Sequence, residues 1–415
     1  SATVSAGGTV SGTVLSGGTQ YVYGSATGTV IDNAGTNDVR GTASASIVNS
    51  GGTEVVSSGG TARSATVGNG GIVTVSSGGV TSAATVLQGG HDYVSSGGRA
   101  VGTVLSGGTQ YVHGAASGTI VDSGGTEVVS SGGTASATVV NSGGTEVVSS
   151  GGTVSHTTVT TGAHEYVSAG GRAVGTAVSG TETISSGGVA SATIVASGGK
   201  DIVLGATSGV AVDSGGTETV SSGGVASSTT ISGGFVEIVS GGSIGGATGT
   251  ITFAGGGELQ LDASTSFSGR IGGFGLPDEL DLRDIQYISG TTSATYTEAG
   301  SNTRGTLAVT DGTHTAQLTL LGMHATSNFT VGSDGHGGTL ITDPPGGGMV
   351  GGGMMTFADL DPRQFAGTPS APGVPSGGAG ATGSAYGASP TNYTVIDPTS
   401  PSAGGYHAAL VTLVS

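Results

Sequence analysis

Acidic side chains recur along this chain at a near-constant interval: Glu54, Asp92, Glu127, Glu146, Glu165, Glu182, Asp201, Glu218 and Glu237, unbroken from Glu127 onward. A regular row of carboxylates has two chemical uses. It can be a solvated ladder that keeps neighbouring sheets apart, the plainer reading, or a file of oxygen ligands for a divalent cation such as Ca²⁺, bridged within or between molecules. One residue further on in each copy lies a second row of mixed polarity, holding Tyr21, Tyr93, Tyr111 and Tyr166. Rings on a flat sheet suit stacking on sugars or on another molecule's sheet, although ordinary packing between neighbours is the plainer use. Nearer the C-terminus, Asp278, Glu279, Asp281 and Asp284 gather beside a glycine-rich turn. They offer oxygen ligands for Ca²⁺ but lack the Gly-Gly-x-Gly-x-Asp repeats of calcium-binding rolls. Asp311 with His314, and Asp334 with His336, read either as a metal pair or, more simply, as turn residues bonding their own backbone.

Other chemistries are excluded. There is no cysteine, hence no thiolate nucleophile, disulfide or cysteine-ligated metal. No G-x-S-x-G and no P-loop occurs, and no catalytic or cofactor-binding residue stands out. A net charge of −17 opposes binding to nucleic acid. No apolar run approaches the roughly 18 residues of a membrane span. The start has neither methionine nor a signal segment, and repeats begin within ten residues, which reads as a mature or trimmed fragment. Parallel β-helices do host polysaccharide lyases and hydrolases with paired carboxylates in a groove, so a glycan-processing β-helix is the alternative reading. Here the acids are too regular to single out a pair, and the expectation is a protein that is not an enzyme.

The rows require a repeating scaffold. Of 415 residues 88 are glycine, without the period of three that collagen needs. Gly-Gly corners set off one β-branched register from Val22, Val39 and Val56 through Val220 to Val239, at intervals of 17–19 residues. Eight residues earlier runs a second register, Val14, Ile31 and Val48 through Val104 to Ile231, broken only at Thr176. β-Branched residues suit strands, and glycine suits the corners between them. The pattern predicts a parallel β-solenoid of about 13 coils over residues 1–249, with like residues stacked on like. Strict alternation would turn the acids toward the valines. Since a stack of buried carboxylates is costly, the expectation is a bend at this position that sends the acids to solvent. Like-charge crowding would then raise their proton affinity, and stability would fall as pH rises.

The phrase Ser-Gly-Gly-Thr-Glu-Val-Val-Ser-Ser-Gly-Gly at 50–60 and 142–152, with its 19-residue period, resembles the passenger repeats of AIDA-type bacterial autotransporter adhesins over roughly residues 1–245. The resemblance implies a right-handed parallel β-helix at the cell surface, acting in adhesion or self-association, with serines and threonines that can carry heptose. That family continues into a membrane β-barrel, and none is read in this sequence.

After residue 249 the repeats fade and larger apolar residues enter, among them Phe253, Leu259, Leu261, Phe267 and Phe274. Residues 250–345 read as a β cap that hides the last open edge. The stretches 309–316 and 333–345 resemble a module closing large secreted repeat proteins of alphaproteobacteria. Residues 346–390 have linker composition. Residues 391–415 form a tail with two strand-like pieces, the last expected to pair with an open sheet edge. The whole reads as an all-β, secreted or cell-surface structural solenoid for adhesion, self-association or biofilm matrix fibres. Its expected partners are its own copies and host or bacterial surface glycans, and its expected location is extracellular or the bacterial outer surface.

Overall fold

The computed structural model describes residues 1–300, 303–343, 393–395 and 409–411. It divides into two units, Ser1–Gly353 and Met354–Ser415. The linker expected at 346–390 lies outside the described residues.

The first unit is a parallel β-solenoid of about 15 turns. One coil shows why the sequence folds this way. The strand Thr145–Val148 alternates outward and inward, leaving Glu146 and Val148 inside. A Ser-Gly-Gly corner follows, then Thr153–Ser155 with Val154 inside, then Thr158–Val159 with Val159 inside. A second corner leads to the next coil, where Glu146 lies in register with Glu165 and Val148 with Val167. The first and third strands of successive coils build one long sheet, and the middle strands a second sheet of 13 strands. Corners bond to corners along the axis, as from the Gly151 amide to the Gly170 carbonyl at 2.9 Å. Two glycines per corner are required for different reasons. Gly151 adopts a φ of 76°, where a side chain is strained. A Cβ on Gly152 would lie 2.2 Å from the Val129 carbonyl oxygen of the coil below.

The two aliphatic registers form the core, with corrections where coils change length. Leu15 is buried and Val14 is 62% exposed. Leu105, not Val104, stacks on Val86. Val178 stacks on Val159, while Thr176 belongs to another column. At the far end Ile238, not Val239, stacks on Val220. A fixed spacing of eight residues misses by one or two where the turn is one or two residues shorter, as between Leu105 and Val112 or Val178 and Ile184, and a one-residue slip inverts the face.

Parallel stacking runs past residue 249. Gly257–Leu261 and Asp278–Leu282 continue one face, and Thr250–Phe253 and Arg270–Gly272 the other. Antiparallel strands then close the stack. Thr339–Thr342 pairs with Asp278–Leu282. Arg304–Thr310, between Ser293–Glu298 and Thr315–Leu321, forms a meander whose last strand pairs with Arg270–Gly272. Phe253 and Phe274, with Phe329 stacked on Phe274, fill this end.

In the second unit, Tyr393–Val395 and Ala409–Val411 pair antiparallel with each other. The strand expected to pair with an open sheet edge, in its own chain or a neighbour's, is paired here with Tyr393–Val395; the rest of 391–415 lies outside the described residues. Among the described residues no helix is long and apolar enough to cross a membrane.

Candidate functional site

The acid row lies inside the solenoid. Glu54, Asp92, Glu127, Glu146, Glu165, Glu182, Asp201 and Glu218 are all fully buried, which overturns the expected bend to solvent. The strand does not bend because its backbone is held in the ladder on both sides, so plain alternation decides the face. Glu237 is the exception. Val236 stacks on Glu218, and Glu237 turns outward beside Thr219. The column therefore runs Gln20, Asn37, Glu54, Val73, Asp92, Gln110 and then six consecutive acids. It ends in Val236, Leu259 and Leu280, which are apolar.

The carboxyls meet amides and hydroxyls. Gln20 donates to Asn37 at 3.4 Å, and Asn37 donates to Glu54 at 3.0 Å. Gln110 donates to Asp92 at 2.7 Å. From the facing strand, Ser46 donates to Glu54 at 2.7 Å, while Thr119 and Thr138 donate to Glu127 at 3.0 and 2.9 Å. A buried threonine column, Thr119, Thr138, Thr157, Thr176 and Thr193, thus faces the acids. Reading the sequence column by column, as for the valines, would have found it, since most of these hydroxyl residues stand eight positions before an acid. At Glu146, Glu165, Glu182 and Asp201 neither carboxyl oxygen accepts a well-formed hydrogen bond.

Burial is the largest cause holding every one of these groups toward its neutral form. It pushes Asp92, Glu182 and Glu218 up to about 7. Glu146, Glu165 and Asp201 stand well above the carboxylate range, with the charges of neighbouring rungs adding to burial. Side chains with no exposed surface cannot bridge one rod to another through Ca²⁺, so the bridging between molecules falls.

The tyrosine row does face out, but its members separate. Tyr93 and Tyr111 stack with ring centroids 5.0 Å apart and planes 9° apart. His91 lies 6.1 and 6.2 Å from them. Tyr166, three coils further on and 39% exposed, stacks on His164. Tyr21 belongs to a separate cluster, where Arg40 lies over Tyr21 and Tyr23 and pairs with Asp38 at 2.9 Å.

Three of the C-terminal acids have a partner for at least one carboxyl oxygen, while the other oxygen of Asp278 and of Asp281 is buried without a hydrogen bond. Asp278 accepts from the Gly275 amide at 2.9 Å, and Asp281 pairs with Arg283 at 2.9 Å. Asp284 accepts from the amides and hydroxyls of Ser264 and Thr265. Glu279 lies half-buried on the opposite face of its strand from Asp278. Asp311 takes the amides of Thr313 and His314 at 2.7 and 2.6 Å, and Asp334 that of His336 at 2.7 Å, so both close turns. Among the described residues no group of three or more His, Asp or Glu is placed to hold a metal ion.

No family model matches the sequence, and no curated protein does. Solved structures do match. One is the crystal structure of a fragment of TibA, residues 55–350 in its own chain, hyper-glycosylated by TibC. It is 36% identical, with a TM-score of 0.56, and the match covers 63% of this chain and 97% of that one. TibA is an AIDA-type autotransporter adhesin passenger. The match joins the solenoid geometry to the repeat phrase, and on both grounds the chain belongs to the family of AIDA-type autotransporter adhesin passengers.

Proposed function

We propose that this chain is a surface-exposed or secreted adhesive rod, and that it acts through a repeated, shallow outer surface. The observation that carries this reading is the match along the solenoid to an adhesin passenger at 36% identity. The coils add a physical reason. They continue without a long inserted loop, so no deep groove forms along the rod, and the same outward residue types return coil after coil. Weak contacts repeated along a rigid rod add into firm attachment without any strong single site. The Tyr93–Tyr111 stack and Tyr166 supply ring surface for sugars or for a second rod. Self-association into matrix fibres uses the same repetition.

TibA is glycosylated in the matching structure. Here outward Thr134, Ser136, Thr153 and Ser155 stand in register on adjacent coils. Such rows are the proposed acceptors for sugar on this chain.

Binding of the purified chain to bacterial and host cells, with and without removal of surface glycans, tests the adhesive role, and negative-stain microscopy over a concentration series tests fibre formation. Attachment or fibres are expected. Neither, together with release of reducing ends from polysaccharides, overturns the reading in favour of glycan processing.

A further inference from the structure

We propose that the rod carries the ladder from Glu127 to Glu218 as carboxylic acids, taking up their protons as the coils close, so that ambient acidity sets how firmly the middle of the rod holds together.

Geometry carries the argument. Glu127, Glu146, Glu165, Glu182, Asp201 and Glu218 occupy six consecutive rungs in direct parallel register, and all are fully buried. Stacked strands sit about 4.8 Å apart. The elements packed on the ladder bring no compensating charge. The facing column contributes threonine hydroxyls, the middle-strand column contributes alanine and valine with Thr207, and the flanking columns contribute valine and isoleucine. Among the described residues no Lys, Arg or His is buried in the coils. The titratable groups facing each rung are thus the rungs above and below it, with Asp92 and Glu54 beyond Gln110 and Val73. Among the described residues no cationic side chain neutralises such a file, and a proton on each carboxyl does.

The same column shows how neutral rungs work. Gln20, Asn37 and Gln110 are amides at ladder positions, and each donates to a neighbouring rung. A protonated carboxyl gains one O–H donor and takes the part of the amide, so a repulsive stack becomes a chain of donors and acceptors. The proton comes from solvent and returns to it on opening, so the step balances without any other reactant.

The sign follows from linkage. Each rung binds its proton more tightly in the closed coil than in the open chain, where an ordinary Glu releases it near pH 4. The ladder's contribution is therefore complete below about pH 4 and is lost as pH rises through the folded values, about 7 for Glu182 and Glu218. Folding in that window takes up protons.

Urea unfolding of the full chain between pH 5 and pH 8 tests this, together with proton uptake measured calorimetrically in buffers of different ionisation enthalpy. The unfolding midpoint is expected to fall from pH 5 to pH 8, with uptake of more than one proton per chain near pH 6.5. Cap acids Asp278 and Asp281, pushed up to about 6, also titrate, so the ladder is isolated by substitution. The triple variant Glu146→Gln, Glu165→Gln, Glu182→Gln is expected to flatten the pH dependence and to raise the midpoint at pH 8. The outward control Glu237→Gln leaves the pH dependence as it was. A wild-type midpoint that is flat or rises with pH overturns the proposal, as does a triple variant that keeps the full pH dependence. Infrared spectroscopy of the folded wild-type chain at pH 7 gives a reading independent of the variants. A carboxylic-acid carbonyl band that shifts in heavy water supports the protonated ladder, and its absence overturns it.

Discussion

A single valine pair shows what each side of a strand is for. Val148 is fully buried between Val129 and Val167, while its neighbour Val147 is only half-buried on the outer face. Val148→Asp places a carboxylate among aliphatic side chains and is expected to cost about 4 kcal/mol or more. Val147→Asp is expected to cost under about 1 kcal/mol. Thermal melts of both variants check the contrast, and equal losses would contradict the assigned faces. The corner glycines divide in a similar way. Gly132 has a φ of 83° with open space where a Cβ would stand, so Gly132→Ala meets only backbone strain of about 1–2 kcal/mol. Gly152→Ala drives a methyl into the Val129 carbonyl, and the backbone of two coils has to move. Its melting point is expected to fall further than that of Gly132→Ala, and the reverse order would show that conformation, not close approach, selects glycine there.

The coil is the unit that the chain repeats, and its boundaries are interchangeable. Thr134 and Thr153 hold the same place in successive coils, as do Gly133 and Gly152. Deleting residues 134–152 joins Gly133 to Thr153 and brings Glu127 beneath Glu165 without changing any face. Each coil contacts mainly its neighbours, so stability is close to a sum of coil and interface terms. The shortened chain is expected to fold with an unchanged β-type circular dichroism per residue and a melting point within a few degrees of the parent. Loss of the folded signal would mean that this coil holds something its neighbours lack.

For the whole first unit, the open end of the stack is the liability. Thr339–Thr342 and Thr315–Leu321 cover the two strands of the last coil. Those pairings satisfy backbone groups that would otherwise offer a template for another chain. Ending the chain after residue 283 removes both covers and exposes apolar groups around Leu280 and Leu282. Light scattering is expected to show association at concentrations where the full chain is dispersed. A dispersed, folded truncation would show that the last coil needs no cover.

How much of this is legible in the chain depends on which quantity repeats. The 17–19-residue interval and the glycine corners are written directly in it, and stacking like on like follows from them, because a solenoid is quasi-one-dimensional. Leu15, Leu105, Val178 and Ile238 escape that reading because a turn can lose a residue or two without disturbing the strand, whereas a fixed count cannot. The acid column is visible as a row, and alternation points it inward. Sequence alone argued against that placement because it assigned each Glu its ordinary charge. Charge is not a property of the residue by itself. It is decided by burial, by the threonine hydroxyls of a facing strand, and by rungs 17–19 residues away. Sequence therefore determined the period, the strands and the core columns. Only the tertiary structure decided that the carboxyls lie inside, because only the closed coil removes the water that would have kept them ionised.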